Sequence, residues 1–104
     1  MISRIWHGWT SRENAAAYEE LLKLEILPAI ADRGIRGLTG AHLMKRDVPG
    51  EVEFVTILWF ESIEAVREFA GQDYEAAVVP EKARRLLKQF DARSQHYETV
   101  VDPR

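Results

Sequence analysis

Three histidines, at positions 7, 42 and 96, are the side chains of this 104-residue chain that titrate nearest neutral pH. His7 sits inside Arg4-Ile5-Trp6-His7-Gly8-Trp9, where its imidazole could take a phenolic or enolic proton as a general base. Tyr74, three residues after Gly71, supplies a phenol that could donate a proton or gate a pocket mouth, or simply anchor its loop. Asp73 and Glu75 flank it, but their two-residue spacing reads as an acidic turn starting a helix. His96 lies on a strand expected beside the one carrying His7. A metal held by that pair would still lack a third ligand, so no metal site is expected. His42 belongs to an outer hairpin strand and reads as interfacial or exposed. With no cysteine, disulfides, thiolate zinc sites and a cysteine nucleophile are excluded together. No glycine-rich phosphate loop or dinucleotide fingerprint occurs, and no cofactor is expected.

The elements that must position these groups follow from periodicity and punctuation. Residues 2–9 are rich in β-branched and aromatic types and predict a strand. Thr10 and Glu13 have capping-box spacing, and residues 15–31 predict an amphipathic helix burying Tyr18, Leu21, Leu22 and Ile26. Pro28 should kink or tighten its last turn, and Gly34 should end it. Residues 38–46 and 51–60 predict a hairpin around Pro49-Gly50. Ser62 is a natural N-cap for a helix over 63–70 closed by Gly71, Pro80 suits the start of a helix reaching 90, and 94–101 predict a last strand. The order β-α-β-β-α-β is that of an α+β, ferredoxin-like sandwich, with a four-stranded antiparallel sheet and both helices on one face. Residues 1–104 are expected to form a single domain.

Phe54-Val55-Thr56-Ile57-Leu58-Trp59-Phe60 scarcely alternates between apolar and polar. Successive side chains on a strand point to opposite faces, so this one is apolar on both, and two helices cover only one. Val55, Ile57 and Trp59, with Trp6 by the same parity reading, are expected to pack against a second copy, sheet to sheet, in a homodimer.

Charge and hydropathy narrow the remaining partners. Fourteen basic residues against 17 acidic ones leave a net charge of −3, and Lys82, Arg84, Arg85 and Lys88 read as one solvated helix face. Nucleic acid is therefore not an expected partner. No apolar run approaches the ~20 residues of a membrane helix, and the N-terminus has no signal-peptide pattern, so a cytoplasmic protein away from membranes is expected.

Four stretches, Arg4-Ile5-Trp6-His7-Gly8, Phe60-Glu61-Ser62, the run from Phe69-Ala70-Gly71 through Asp73-Tyr74 to Pro80, and His96-Tyr97-Glu98, together resemble the antibiotic biosynthesis monooxygenase (ABM) family over nearly the whole chain. The resemblance implies a dimeric α/β barrel, with a ligand pocket between each subunit's sheet and helices. It implies cofactor-independent oxygenation of a small aromatic or polyketide-like hydrophobic molecule; a ligand-binding or stress-related dimer is the alternative, and haem degradation a weaker third. Aligned on Glu61-Ser62, Thr56, Phe60 and Val66 occupy the places where quinone-forming members carry Asn, Trp and Tyr. Ile5, Phe69 and Val78 occupy those where haem-degrading members carry Asn, Trp and the iron-binding His. On this alignment Phe54, Thr56, Leu58, Phe60 and Phe69 would line the pocket. Parity matched to it would add Ile5, His7 and Trp9, and His96 would lie close by, with His7 and Tyr74 as the catalytic candidates.

Overall fold

A computed structural model describes residues 1–102; the last two residues of the expected domain, Pro103 and Arg104, lie outside the described residues. Among the described residues, five strands and four α-helices, the first two joined by a π-turn, follow one another as β1 (Ile2–Ser11), α1 (Arg12–Leu21), the π-turn (Leu22–Ile26), α2 (Leu27–Asp32), β2 (Leu38–Val48), β3 (Glu51–Phe60), α3 (Ile63–Ala70), α4 (Glu81–Leu86), β4 (Leu87–Phe90) and β5 (Gln95–Glu98). The sheet is antiparallel in the order β2-β3-β1-β4, with β5 also on β1. This α+β arrangement is compatible with a ferredoxin-like fold.

Local chemistry explains most boundaries. The Ser62 hydroxyl accepts the Ala65 N–H at 3.3 Å to open α3, and Gly71 closes it at φ 90°. Gly50 takes φ 75° between the paired Val48 and Glu51, a conformation that only glycine adopts freely. At the first helix the cap is Ser11, accepting from Asn14 N–H at 3.2 Å, whereas Thr10 is still a buried strand residue paired with Val52. Pro28 does not tighten the helix. Lacking an N–H, it offers Leu24 no return bond, and the ladder widens just before it, Leu27 N–H reaching back five residues to Leu22.

The C-terminal third departs from expectation. The helix expected to reach residue 90 stops at Leu86, and the sheet has five strands where four were expected. The cause is the free edge of β1. Its inner half, Gly8–Thr10, pairs with β4, and its outer half, Ile2–Ile5, pairs with the short β5. Filling those ladder bonds outweighs continuing a six-residue helix.

All helical segments that pack do so on one face of the sheet. Two apolar clusters result, one around Tyr18, Leu22, Val52 and Phe54, the other around Leu58, Phe60, Val66 and Phe69, with Leu27 touching both. The space between the clusters is where the candidate site forms.

Candidate functional site

Register fixes which side chains face the helices. In an antiparallel pair, opposed residues share a face. Trp6 opposes Thr56, Arg4 opposes Leu58 and Gly8 opposes Phe54, so Arg4 and Trp6 look toward the helices. Ile5, His7 and Trp9 oppose Ile57, Val55 and Glu53 on the other face. The parity expected for β1 is therefore inverted: Trp6, expected at the dimer face, lines the interior, and His7 and Trp9 do not. The packing reason is local. A Cβ on Gly8 would come within 2.8 Å of Leu87 Cδ2 and 3.2 Å of the Trp6 ring, so the crowded face of β1 is the one its smallest residue occupies. Apolar residues of both parities in Ile2–Trp9 hid this choice, and an arginine at an inward position runs against hydropathy.

Between the clusters lies a cavity of about 70 Å³, walled by Trp6, Thr56 and Leu58 from the sheet, Leu22 and Ile26 from the π-turn, and Phe69 from α3. Arg4, Ser94 and Tyr18 add polar groups to its lining, which also includes Val78, Val79 and Pro80. Thr56, Leu58 and Phe69 thus take the places expected of them. Phe54 and Phe60 face the same side but back the cavity, Phe54 edge-on to Tyr18 at 4.8 Å and Phe60 against Phe69 at 5.8 Å. A π-turn at a cavity wall is a common device at functional sites, because its widened backbone has looser hydrogen bonding.

Arg4 is only 4% exposed, and its guanidinium has no carboxylate partner among the described residues. Instead Nη1 donates to the carbonyl of Tyr74, Nη2 donates to that of Ala76 at 3.1 Å, and the charge lies 5.3 Å from the Phe69 centroid. Burial lowers its pKa to about 10, which leaves it charged at neutral pH. These bonds fasten the 71–80 segment to β1. The same segment is stitched to the chain after β4, Ala77 N–H donating to Ala92 at 3.0 Å and Ser94 N–H to Glu75 at 2.6 Å.

His96, opposite Arg4 on β5, has its Nε2 3.0 Å from Arg4 Nη1. Arginine only donates, so Nε2 accepts and the imidazole is neutral, with its hydrogen on Nδ1. That Nδ1 is sealed from solvent and has no protein partner. Burial, and then the Arg4 charge, hold the His96 pKa below its ordinary value, with Glu75 opposing weakly. The Tyr74 ring stands edge-on to His96 at 5.1 Å, with the Arg67 guanidinium 5.6 Å from its centroid. His96, Tyr74 and Phe69 therefore gather around Arg4, the one member of the group that no sequence motif singled out.

His7 belongs to a separate arrangement on the open face. Its Nδ1 lies 2.6 Å from Asp91 Oδ2, which also accepts the His7 backbone N–H at 3.0 Å, and its ring stacks on Trp9 at 6.0 Å. Neither His7 nor Tyr74 lines the cavity described above, and His96 pairs with Arg4 rather than lying beside His7 as the antiparallel pairing suggested. On the same face Trp59 Nε1 donates to His42 Nδ1 at 2.9 Å, and Val55, Ile57 and Trp59 are half-buried. Among the described residues no helix is long and apolar enough to cross a membrane.

The chain matches no protein-family model and no curated protein sequence. Among solved structures it is similar to Rv0793 from Mycobacterium tuberculosis, with a TM-score of 0.62 and 17% identity over 99% of this chain and 98% of that one. At that identity the likeness carries the fold: both are small α+β proteins of the same architecture.

Proposed function

We propose that this protein is a cofactor-independent monooxygenase of the ABM type, acting as a homodimer on a small aromatic molecule held between sheet and helices. The observation that carries the reading is the cavity itself, mostly aliphatic with the rings of Trp6, Tyr18 and Phe69 in its wall, and with the hydroxyls of Thr56 and Ser94 among its few polar groups. Cavities of this kind exclude water from a reactive intermediate. Dimerisation rests on the apolar open face of β3, which a second sheet would cover. At about 70 Å³ the cavity is smaller than the roughly 150 Å³ that accommodates benzene, so a ring enters only as the π-turn and the 71–80 segment give way.

The chemistry in this reading needs no bound redox group. An activated methylene flanked by aromatic rings loses a proton, and the carbanion passes one electron to dioxygen. The pair recombines as a peroxide, which loses water; the sum is CH₂ plus O₂ giving C=O plus H₂O. His7 lies on the other face of the sheet and takes no part at this cavity. A second reading, a dimer that binds such molecules without turnover, is favoured by Thr56, Phe60 and Val66 standing where the quinone-forming relatives carry Asn, Trp and Tyr. Oxygen uptake with anthrone separates the two. Consumption above the buffer rate, one O₂ per substrate, is expected; binding with uptake at the buffer rate would leave only the second reading, and no binding would overturn both.

A further inference from the structure

Arg4 is the only charged side chain lining the cavity among the described residues. A guanidinium carries five N–H groups. Two on Nη1 go to the Tyr74 carbonyl and His96 Nε2, and one on Nη2 goes to the Ala76 carbonyl. Among the described residues, Nε–H and one Nη2 hydrogen have no protein partner. Every acceptor Arg4 has is neutral. The nearby acids do not compensate it, since Asp73 and Glu75 both pair with Arg93, at 2.6 and 3.4 Å. The other neighbouring cations add to the field: Arg33 lies 5.0 Å from the Phe69 centroid, on the ring that Arg4 also faces, and Arg67 lies over Tyr74. A buried cation without a counter-ion costs free energy that an anionic oxygen at its free N–H groups would return.

We infer that the cavity takes its aromatic ligand as the oxyanion, a phenolate or enolate, with the charged oxygen on the unpartnered N–H groups of Arg4 and the ring against Trp6 and Phe69. This rests on the reading of the cavity as a ligand site and deepens it, because oxygenation without a cofactor begins from an ionised substrate. The ligand leaves its proton to bulk water and binds as the anion, which Arg4 stabilises, so no base in the cavity wall is required. Arg4 is in this sense a substrate-binding residue that sets which protonation state binds.

The sign of one measurement decides the matter. An apolar cavity alone disfavours the charged form and raises a bound phenol's pKa; a cation in contact lowers it by about 1–3 pH units. The probe is 4-nitrophenol, whose phenolate absorbance is titrated with and without saturating protein. With the wild type, the bound phenol should ionise about one pH unit or more below the free phenol, the phenolate binding about tenfold or more tighter than the neutral form. Arg4→Met should reverse the shift, and Arg4→Lys, which keeps a charge, should retain part of it. A wild-type shift of zero or upward overturns the inference while leaving the cavity a ligand site. A lowered value that survives Arg4→Met also overturns it. Absence of any binding overturns the cavity reading and this inference with it. The wild-type titration stands by itself should Arg4→Met fail to fold.

Discussion

Replacing Arg4 with methionine tests whether a buried cation fastens the 71–80 segment over the cavity. Two opposing terms set the size of the effect. Burial pulls the Arg4 pKa down to about 10, which corresponds to about 3 kcal/mol by which desolvation penalises the charged side chain, and methionine escapes that penalty. Against it, the carbonyls of Tyr74 and Ala76 lose their donor, and each buried acceptor left without one costs about 1–3 kcal/mol. The contact with Phe69, at 5.3 Å from its centroid, is worth up to about 2 kcal/mol where desolvated. The losses exceed the relief, and we expect a net destabilisation of about 2 kcal/mol. In urea titration the midpoint should fall at unchanged slope, since the surface exposed on unfolding is the same. Amide exchange should localise the effect. The Ala77 and Ser94 amides, which bond Ala92 and Glu75 across the segment, should exchange faster, by more than the global loss explains. A variant as stable as the wild type, with unaltered exchange at those two amides, would refute the reasoning, because the guanidinium would then be a passive occupant of the site.

Other predictions concern His96 and the open sheet face. The His96 pKa is lowered in the folded chain, so the unfolded chain takes up its proton first, near the ordinary value of about 6.5. Its contribution to stability is therefore full above that pH and is lost as pH falls from there through the folded value; His96→Gln should flatten this part of the profile in thermal melts recorded across pH 8 to about 5. Ile57→Lys places a charge in the middle of the face proposed to bury against a second copy. In sedimentation the wild type should run at about twice the 12.0 kDa of one chain, and the variant at that single mass with its fold intact by circular dichroism. A wild type sedimenting as one chain at micromolar concentration refutes the dimer.

How much of this was legible in the sequence depends on what kind of force decided each feature. Caps and turns are local, and Ser62, Gly71 and Pro49-Gly50 act where their chemistry placed them. The parities of β3 are also both apolar, and only the alignment on Glu61-Ser62 put Thr56 and Leu58 on the helix side, where they line the cavity. Features decided by distant partners were not readable. Residues 87–90 carry no strand signal of their own and become β4 because β1 offers an unfilled edge. The facing of β1 was hidden because both of its parities are apolar, and the outcome turned on Gly8 packing beneath Leu87. Arg4 could be quoted as part of a motif, but its burial depends on carbonyls 70 and 72 positions away along the chain and on His96, 92 positions away. No pattern within β1 encodes that.

If ligands enter on the helix side of the sheet, as we propose, the three indoles report which face is occupied. Trp6 lines the cavity, with its Nε1 donating to the Asp91 carbonyl at 2.7 Å, whereas Trp9 and Trp59 lie on the opposite face. In a proton–nitrogen correlation spectrum titrated with 4-nitrophenol, the Trp6 indole resonance and the amides of Thr56 and Leu58 should move together along one saturation curve, while the indoles of Trp9 and Trp59 stay in place. Movement of the Trp9 and Trp59 indoles with Trp6 unchanged would contradict the account, because it would put the ligand on the face assigned to a second copy of the chain.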